Sequence, residues 1–135
     1  MLRIGLNPYG LTYHLGLQGM GTPRANPAGR GLEGFIAIAT ELKAEVIEIF
    51  DPWLRALDDD VLRALKDRLD SLGMVPVVSA GLNMMGPMES AFRSARALGA
   101  GVIRLGLSPV LCGARAEQGE KWGELIATIR AAGRW

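Results

Sequence analysis

Residues 44–81 read "AEVIEIFDPWLRALDDDVLRALKDRLDSLGMVPVVSAG", and this stretch decides the fold class. "AEVIEIF", from Ala44 to Phe50, is a β-branched run closed by the turn signal Asp51-Pro52, so it predicts a strand. In "LDDDVLRALKDRLDSLG", Asp58 is placed to cap a helix whose first turn is acidic. Leu62, Leu65, Leu69 and Leu72 fall on one face of that helix, and Gly73 stops it. "MVPVVSAG", Met74 to Gly81, predicts the next strand. A strand, a helix and a strand in succession, with both strands almost continuously apolar, describe a parallel pair joined by a right-handed crossover.

The same unit repeats on either side. "LRIGL", Leu2 to Leu6, predicts a short first strand, and Leu32 to Lys43 a helix with Phe35, Ile36, Ala39 and Leu42 at helical spacing. Met88 to Leu98 predicts a third helix with Ala91, Ala95 and Leu98 inward, and "GVIRLGLS" a fourth strand. A last helix is expected from about Glu117 to Ala132, burying Trp122, Leu125, Ile126 and Ile129. The order is βαβαβαβα, an α/β chain with a parallel sheet. Two architectures share it: a small doubly wound sheet, and a parallel (βα)4 unit that is half of a TIM (β/α)8 barrel. A full barrel takes about 250 residues and eight units. With four units, residues 1–135 read as one domain, and if it is a barrel it is an incomplete one, half of the eight units.

Composition narrows the function classes. Lys+Arg 15 against Asp+Glu 14 leaves a net charge of +1 and no basic run, which argues against nucleic acid and anionic membrane as partners. The hydrophobic share of 49% fits one globular unit. A lone cysteine, Cys112, excludes an intrachain disulfide, and a structural thiol is the preferred reading for it. No apolar stretch approaches the roughly 18 residues that span a bilayer. With no signal-like segment ahead of Leu2, a cytoplasmic location is expected.

Strand alternation then selects the side chains that face a site. Placing the apolar residues under the helices turns Ile4, Leu6, Ile47, Ile49, Ile103, Leu105 and Leu107 outward. Arg3, Gly5, Asn7, Glu48, Phe50, Val102, Arg104, Gly106 and Ser108 are left inward. The phase of the third strand stays open, because "VPVVSA" shows no polar alternation before Ser79. Asn7, Glu48 and Arg104 thus converge from three strands, with Tyr9 and His14 just beyond the first. Glu48 and Arg104 read equally well as a structural ion pair, since a buried charge needs a partner, and as ligand contacts. His14 reads as an acid/base or as an exposed histidine without a task. The tryptophans read as packing residues, with Trp53 on the face where ligands enter.

"TYHLGLQGMGTPRANPAGRG", residues 12–31, joins the C-terminal end of the first strand to its helix, the edge where α/β folds bind ligands. Its length predicts a lid or binding loop, with a merely mobile surface loop as the alternative. Gln18, Thr22, Arg24 and Asn26 offer hydrogen bonds to hydroxyls or a carboxylate, and a phosphate cradle of the Walker type is excluded by the missing Gly-Lys-Ser/Thr ending.

"RIGLNPYGL", the glutamate of "AEVIEIF", "LKDRLDSLGMVPVVSAG" and "SARALGAGVIRLGLS" together resemble the N-terminal half of the xylose isomerase-like TIM barrels, the group of sugar-phosphate isomerases and epimerases. The resemblance spans the chain but only the first four βα units of the family. It implies sugar metabolism and metal-dependent proton transfer next to a sugar carbonyl. In such barrels a divalent metal, Mn²⁺ or Mg²⁺, polarises the oxygen and glutamates move the proton. The family's metal ligands lie on strands five to eight, which this chain does not contain, and its histidine near the end of strand three is replaced by "SAGLN". No catalytic residue and no metal ligand is therefore carried over. Substrate binding is, onto Asn7, Tyr9, His14 and Glu48, with Arg104 and Ser108 placed by strand phase. The expected ligand is a small sugar-like molecule. The sheet edges call for self-association or a second subunit, and the chain alone is expected to lack turnover. A lyase or dehydratase of the same barrel group acting on a glycoside or keto-sugar is the alternative enzyme. A non-catalytic small-molecule-binding or assembly module is the alternative of another class. A nuclease of the endonuclease IV type ranks behind these, because one histidine cannot build its metal cluster.

Overall fold

A computed structural model describes residues 2–19, 21–81 and 88–106, together with residues 123, 126, 127 and 130. Four strands, β1 (Gly5–Leu6), β2 (Val46–Phe50), β3 (Val75–Gly81) and β4 (Ile103–Gly106), form one parallel sheet in the order β1-β2-β3-β4. The α-helices between them are α1 (Gly31–Glu41), α2 (Asp51–Leu54), α3 (Asp59–Ser71) and α4 (Met88–Leu98). The fold is therefore α/β with neighbouring strands consecutive in the chain.

The 44–81 unit forms as its pattern dictates. Asp58 accepts the Val61 backbone N–H at 2.9 Å, satisfying one of the orphan donors of α3, a cap that contributes about 1 kcal/mol. Leu62, Leu65 and Leu69 are buried, and Gly73 leaves the helix at φ +69°. Leu72 is exposed, because it follows the last helical residue and no longer shares the buried stripe. Asp51-Pro52 is not a simple turn. It opens α2, since proline fits the first turn of a helix where its missing N–H is not needed.

Ile47, Ile49, Val78 and Ala80 point to the helical side and pack with Phe35, Ile36, Ala39, Leu62, Leu69, Ala91, Ala95 and Leu98 in one core. Neighbouring helices are also tied by charge. Arg68 reaches from α3 to Glu33 of α1 at 2.6 Å, and Arg93 from α4 donates to Asp59 at 2.9 Å and to the Leu57 carbonyl at 2.7 Å. On the other face the register aligns Val46 with Val75, Glu48 with Val77, and Phe50 with Ser79 and Arg104. Among the described residues no helix covers that face, and Val46, Phe50 and Val77 are only half-buried.

Several expectations at the edges change. The first strand pairs only at Gly5 and Leu6. Ile4 joins through its carbonyl, which accepts from the Glu45 and Val46 amides, while its side chain is 75% exposed rather than under a helix. Leu42 lies just past α1 and is exposed. Ile126, placed on the buried side of the last helix, is helical but exposed. Leu107, Ser108, Cys112, Trp122, Leu125 and Ile129 lie outside the described residues. No helix among those described is long and apolar enough to cross a membrane.

Candidate functional site

Each inward position of the open face is set by the pleat: once Ile47 and Ile49 are committed to the core, Glu48 must face the other way. Arg104 is similarly fixed between Ile103 and Leu105. The parallel register places Ser79 directly beside Arg104. Tyr9 arrives from a short 3₁₀ turn, Tyr9–Leu11, just past β1, with its amide donating to Asn7 Oδ1 at 3.1 Å.

These four side chains meet on one atom. Arg104 Nη1 donates to Glu48 Oε1 at 3.2 Å, Ser79 Oγ at 3.4 Å and the Tyr9 hydroxyl at 3.5 Å. The guanidinium carbon also lies 5.1 Å from the centre of the Tyr9 ring, within cation–π range. The Tyr9 hydroxyl, then the Glu48 charge, hold the Arg104 pKa above the ordinary arginine range. The Glu48 side chain is 14% exposed and that of Arg104 45%, so the cluster sits at the surface of the open face rather than in the core. Beside it lies a depression of about 200 Å³ lined by Gly5, Leu6, Asn7, Val46, Glu48 and Val77. Glu48 borders both the depression and the arginine.

Of the expected site residues, Tyr9, Glu48 and Arg104 are brought together, and Asn7 orients Tyr9 and lines the depression. His14 is not brought in. Its side chain is exposed, and its carbonyl accepts the Arg30 amide in the closure of the loop. Ser108 lies outside the described residues. Ser79 is the member that strand phase alone missed. Its only sequence signal was the polar residue ending an apolar run, and pairing with β4 decided its face.

The 12–31 loop is built differently from a free lid. The amides of Arg30 and Gly31 donate to the carbonyls of His14 and Leu15, and Leu15 is buried in the core. A Cβ on Gly29 would stand 2.5 Å from the Gly16 Cα, so the two arms touch backbone to backbone. Thr22 spends its hydroxyl on the Gly19 carbonyl, and Asn26 donates to the Tyr13 carbonyl while accepting from Ala28. Those two side chains shape the loop itself. The result is an Ω-type loop with joined ends.

A larger groove of about 680 Å³ runs between α3 and α4, lined by Arg63, Lys66, Arg93 and Asp59 among others. It lies on the outer helical surface, and these cations are occupied: Arg63 with Asp60, Lys66 with Asp70, and Arg93 with Asp59. The strand-end cluster is the better candidate, because there polar groups from all four strand units converge.

Toward a divalent metal the described part of the cluster offers a single carboxylate. No three His, Cys, Asp or Glu side chains gather among the described residues. The one carboxylate of the cluster, Glu48, already faces the Arg104 cation, which repels a second positive charge. What the arrangement offers instead is a fixed guanidinium, two hydroxyls and a carboxylate beside an apolar-walled depression, a set suited to hydroxyl-rich or acidic small molecules. In comparison with known proteins, the chain matches no family and no characterised relative.

Proposed function

We propose that this chain is the parallel (βα)4 half of a xylose isomerase-like TIM barrel and contributes the substrate-binding side of a sugar-handling site. The observation that carries the reading is the convergence of Tyr9, Glu48, Ser79 and Arg104, one from each strand unit in turn, on a single guanidinium nitrogen. The consecutive strand order and the open inner face support it, since a barrel winds in one direction and keeps its helices outside. In this reading the metal, Mn²⁺ or Mg²⁺, and the proton transfer next to a sugar carbonyl belong to the four units that complete the barrel, supplied by a different subunit that carries the metal ligands. Ending the same chemistry in elimination makes a lyase or dehydratase of the same site. This chain binds a sugar-like ligand and does not turn it over alone.

The test is an NMR titration of the labelled chain with aldoses and ketoses, followed by incubation in D₂O with Mn²⁺. Shifts of the Tyr9, Glu48, Ser79 and Arg104 backbone signals with no deuterium entering the sugar are expected. Deuterium incorporation by the chain alone overturns the half-site reading. Absence of any shift overturns ligand binding. A non-catalytic small-molecule-binding module is the second reading, favoured by the neutralisation of Glu48 by Arg104. It is separated from the first by whether a partner that closes the sheet adds turnover.

A further inference from the structure

Among the described residues the partners of Arg104 are all on one side. Nη1 takes Glu48, Ser79 and Tyr9, and the Tyr9 ring lies against the guanidinium. Among the described residues neither Nε nor Nη2 has an acceptor, and 45% of the side chain remains exposed. The edge formed by Nε–H and Nη2–H presents two parallel donors, the fork that matches the two oxygens of a planar oxyanion. Such an edge on a mobile surface arginine would mean little. Here three acceptors and a ring hold the plane in place, so the ordering cost is already met before a ligand arrives.

We propose that Arg104 seats the carboxylate of a small hydroxy acid or sugar acid. This inference rests on the reading of the open face as a sugar-like binding site and names the class of ligand it takes. Charge decides between oxyanions. Glu48 and Arg104 cancel one another, so a bound monoanion leaves the cluster at one net negative charge and a phosphate dianion leaves it at two, close to the Glu48 carboxylate. One bidentate edge also satisfies a carboxylate, whereas a dianion calls for further donors that the cluster lacks among the described residues.

Gluconate, glucitol and glucitol 6-phosphate carry the same six-carbon chain with a carboxylate, no charge and a phosphate. Their affinities for the chain, measured by calorimetry at pH 7 and low salt, test the inference. Gluconate is expected to bind about ten-fold or more tighter than glucitol, the worth of one charge-assisted bidentate pair. In Arg104→Lys, which keeps the charge and loses the fork, the gluconate-to-glucitol ratio should fall toward one. Circular dichroism identifies a variant that fails to fold, in which case the wild-type ratio alone decides. Equal affinity for gluconate and glucitol overturns the carboxylate seat and leaves the sugar-like site standing. Tighter binding of glucitol 6-phosphate than of gluconate overturns the choice of carboxylate over phosphate. Binding of none of the three overturns both the seat and the site.

Discussion

Asp51 is 1% exposed at the start of α2, between Arg55 at 3.2 Å and Ser90 of α4 at 3.4 Å. Burial pushes its pKa above the ordinary aspartate value, and the Arg55 charge, the Ser90 and Arg55 hydrogen bonds and the Arg93 charge pull it back only in part. The unfolded chain therefore releases this proton at lower pH than the folded one. Between the two values the folded state holds more protons, so the Asp51 contribution to stability is greatest at acid pH and declines as pH rises through the folded value. Asp51→Asn removes that dependence. The stability of the natural chain relative to the variant should rise as pH falls from 7 to 4, read by urea titration at each pH. A relative loss of stability on acidification would show that Arg55 dominates, with the carboxylate paired rather than desolvated. Neighbouring Ser94 has a fully buried hydroxyl without a partner among the described residues, which places a second polar cost in the same α4 packing.

At the scale of elements, α3, α4 and β2 were legible in the sequence because their signals are local: the leucine stripe, the Asp58 cap, and the alternation of Val46, Ile47, Glu48, Ile49 and Phe50. The ends were less so. Leu2 and Ile4 have strand-like character, but a strand lasts only as long as its partner, and β2 begins at Val46. Glu48 and Arg104 were legible through alternation, whereas Ser79 depended on a register set between strands 25 residues apart. The place of His14 was not legible because the loop's closure is non-local: nothing in "TYHLGLQG" announces that the His14 and Leu15 carbonyls will accept from the Arg30 and Gly31 amides. That closure makes its own prediction. Gly29→Ala sets a Cβ against the Gly16 backbone, which has no side chain to move aside, and should cost about 1–3 kcal/mol. Gly10→Ala, with nothing within 4 Å, serves as the control and should leave the thermal midpoint near that of the natural chain. Equal midpoints for both variants would mean that the two arms of the loop separate freely in solution.

For the whole molecule, the consequence of winding four strands in one direction is a sheet with one face under helices and one face free of them among the described residues. β1 and β4 form its two edges, and both run in the same direction. A two-fold axis along the strands would set β4 of each copy beside β1 of the other, keeping every pairing parallel and removing both edges at once. Val75 is 39% exposed on the open face and aligned with Val46, so a closed assembly would bury it. If copies of the chain complete one another, light scattering behind a sizing column should give twice the mass of one chain. Val75→Glu should then shift the population to the monomer, because it buries an unpaired carboxylate in the assembly while costing little on an exposed face. A monomer in both proteins would reject closure by a second copy and favour the small binding module. A dimer indifferent to Val75→Glu would place the interface elsewhere and leave the inner face open to ligand. The mass measurement therefore precedes any ligand assay, since it settles whether the inner face is open or enclosed by a second copy.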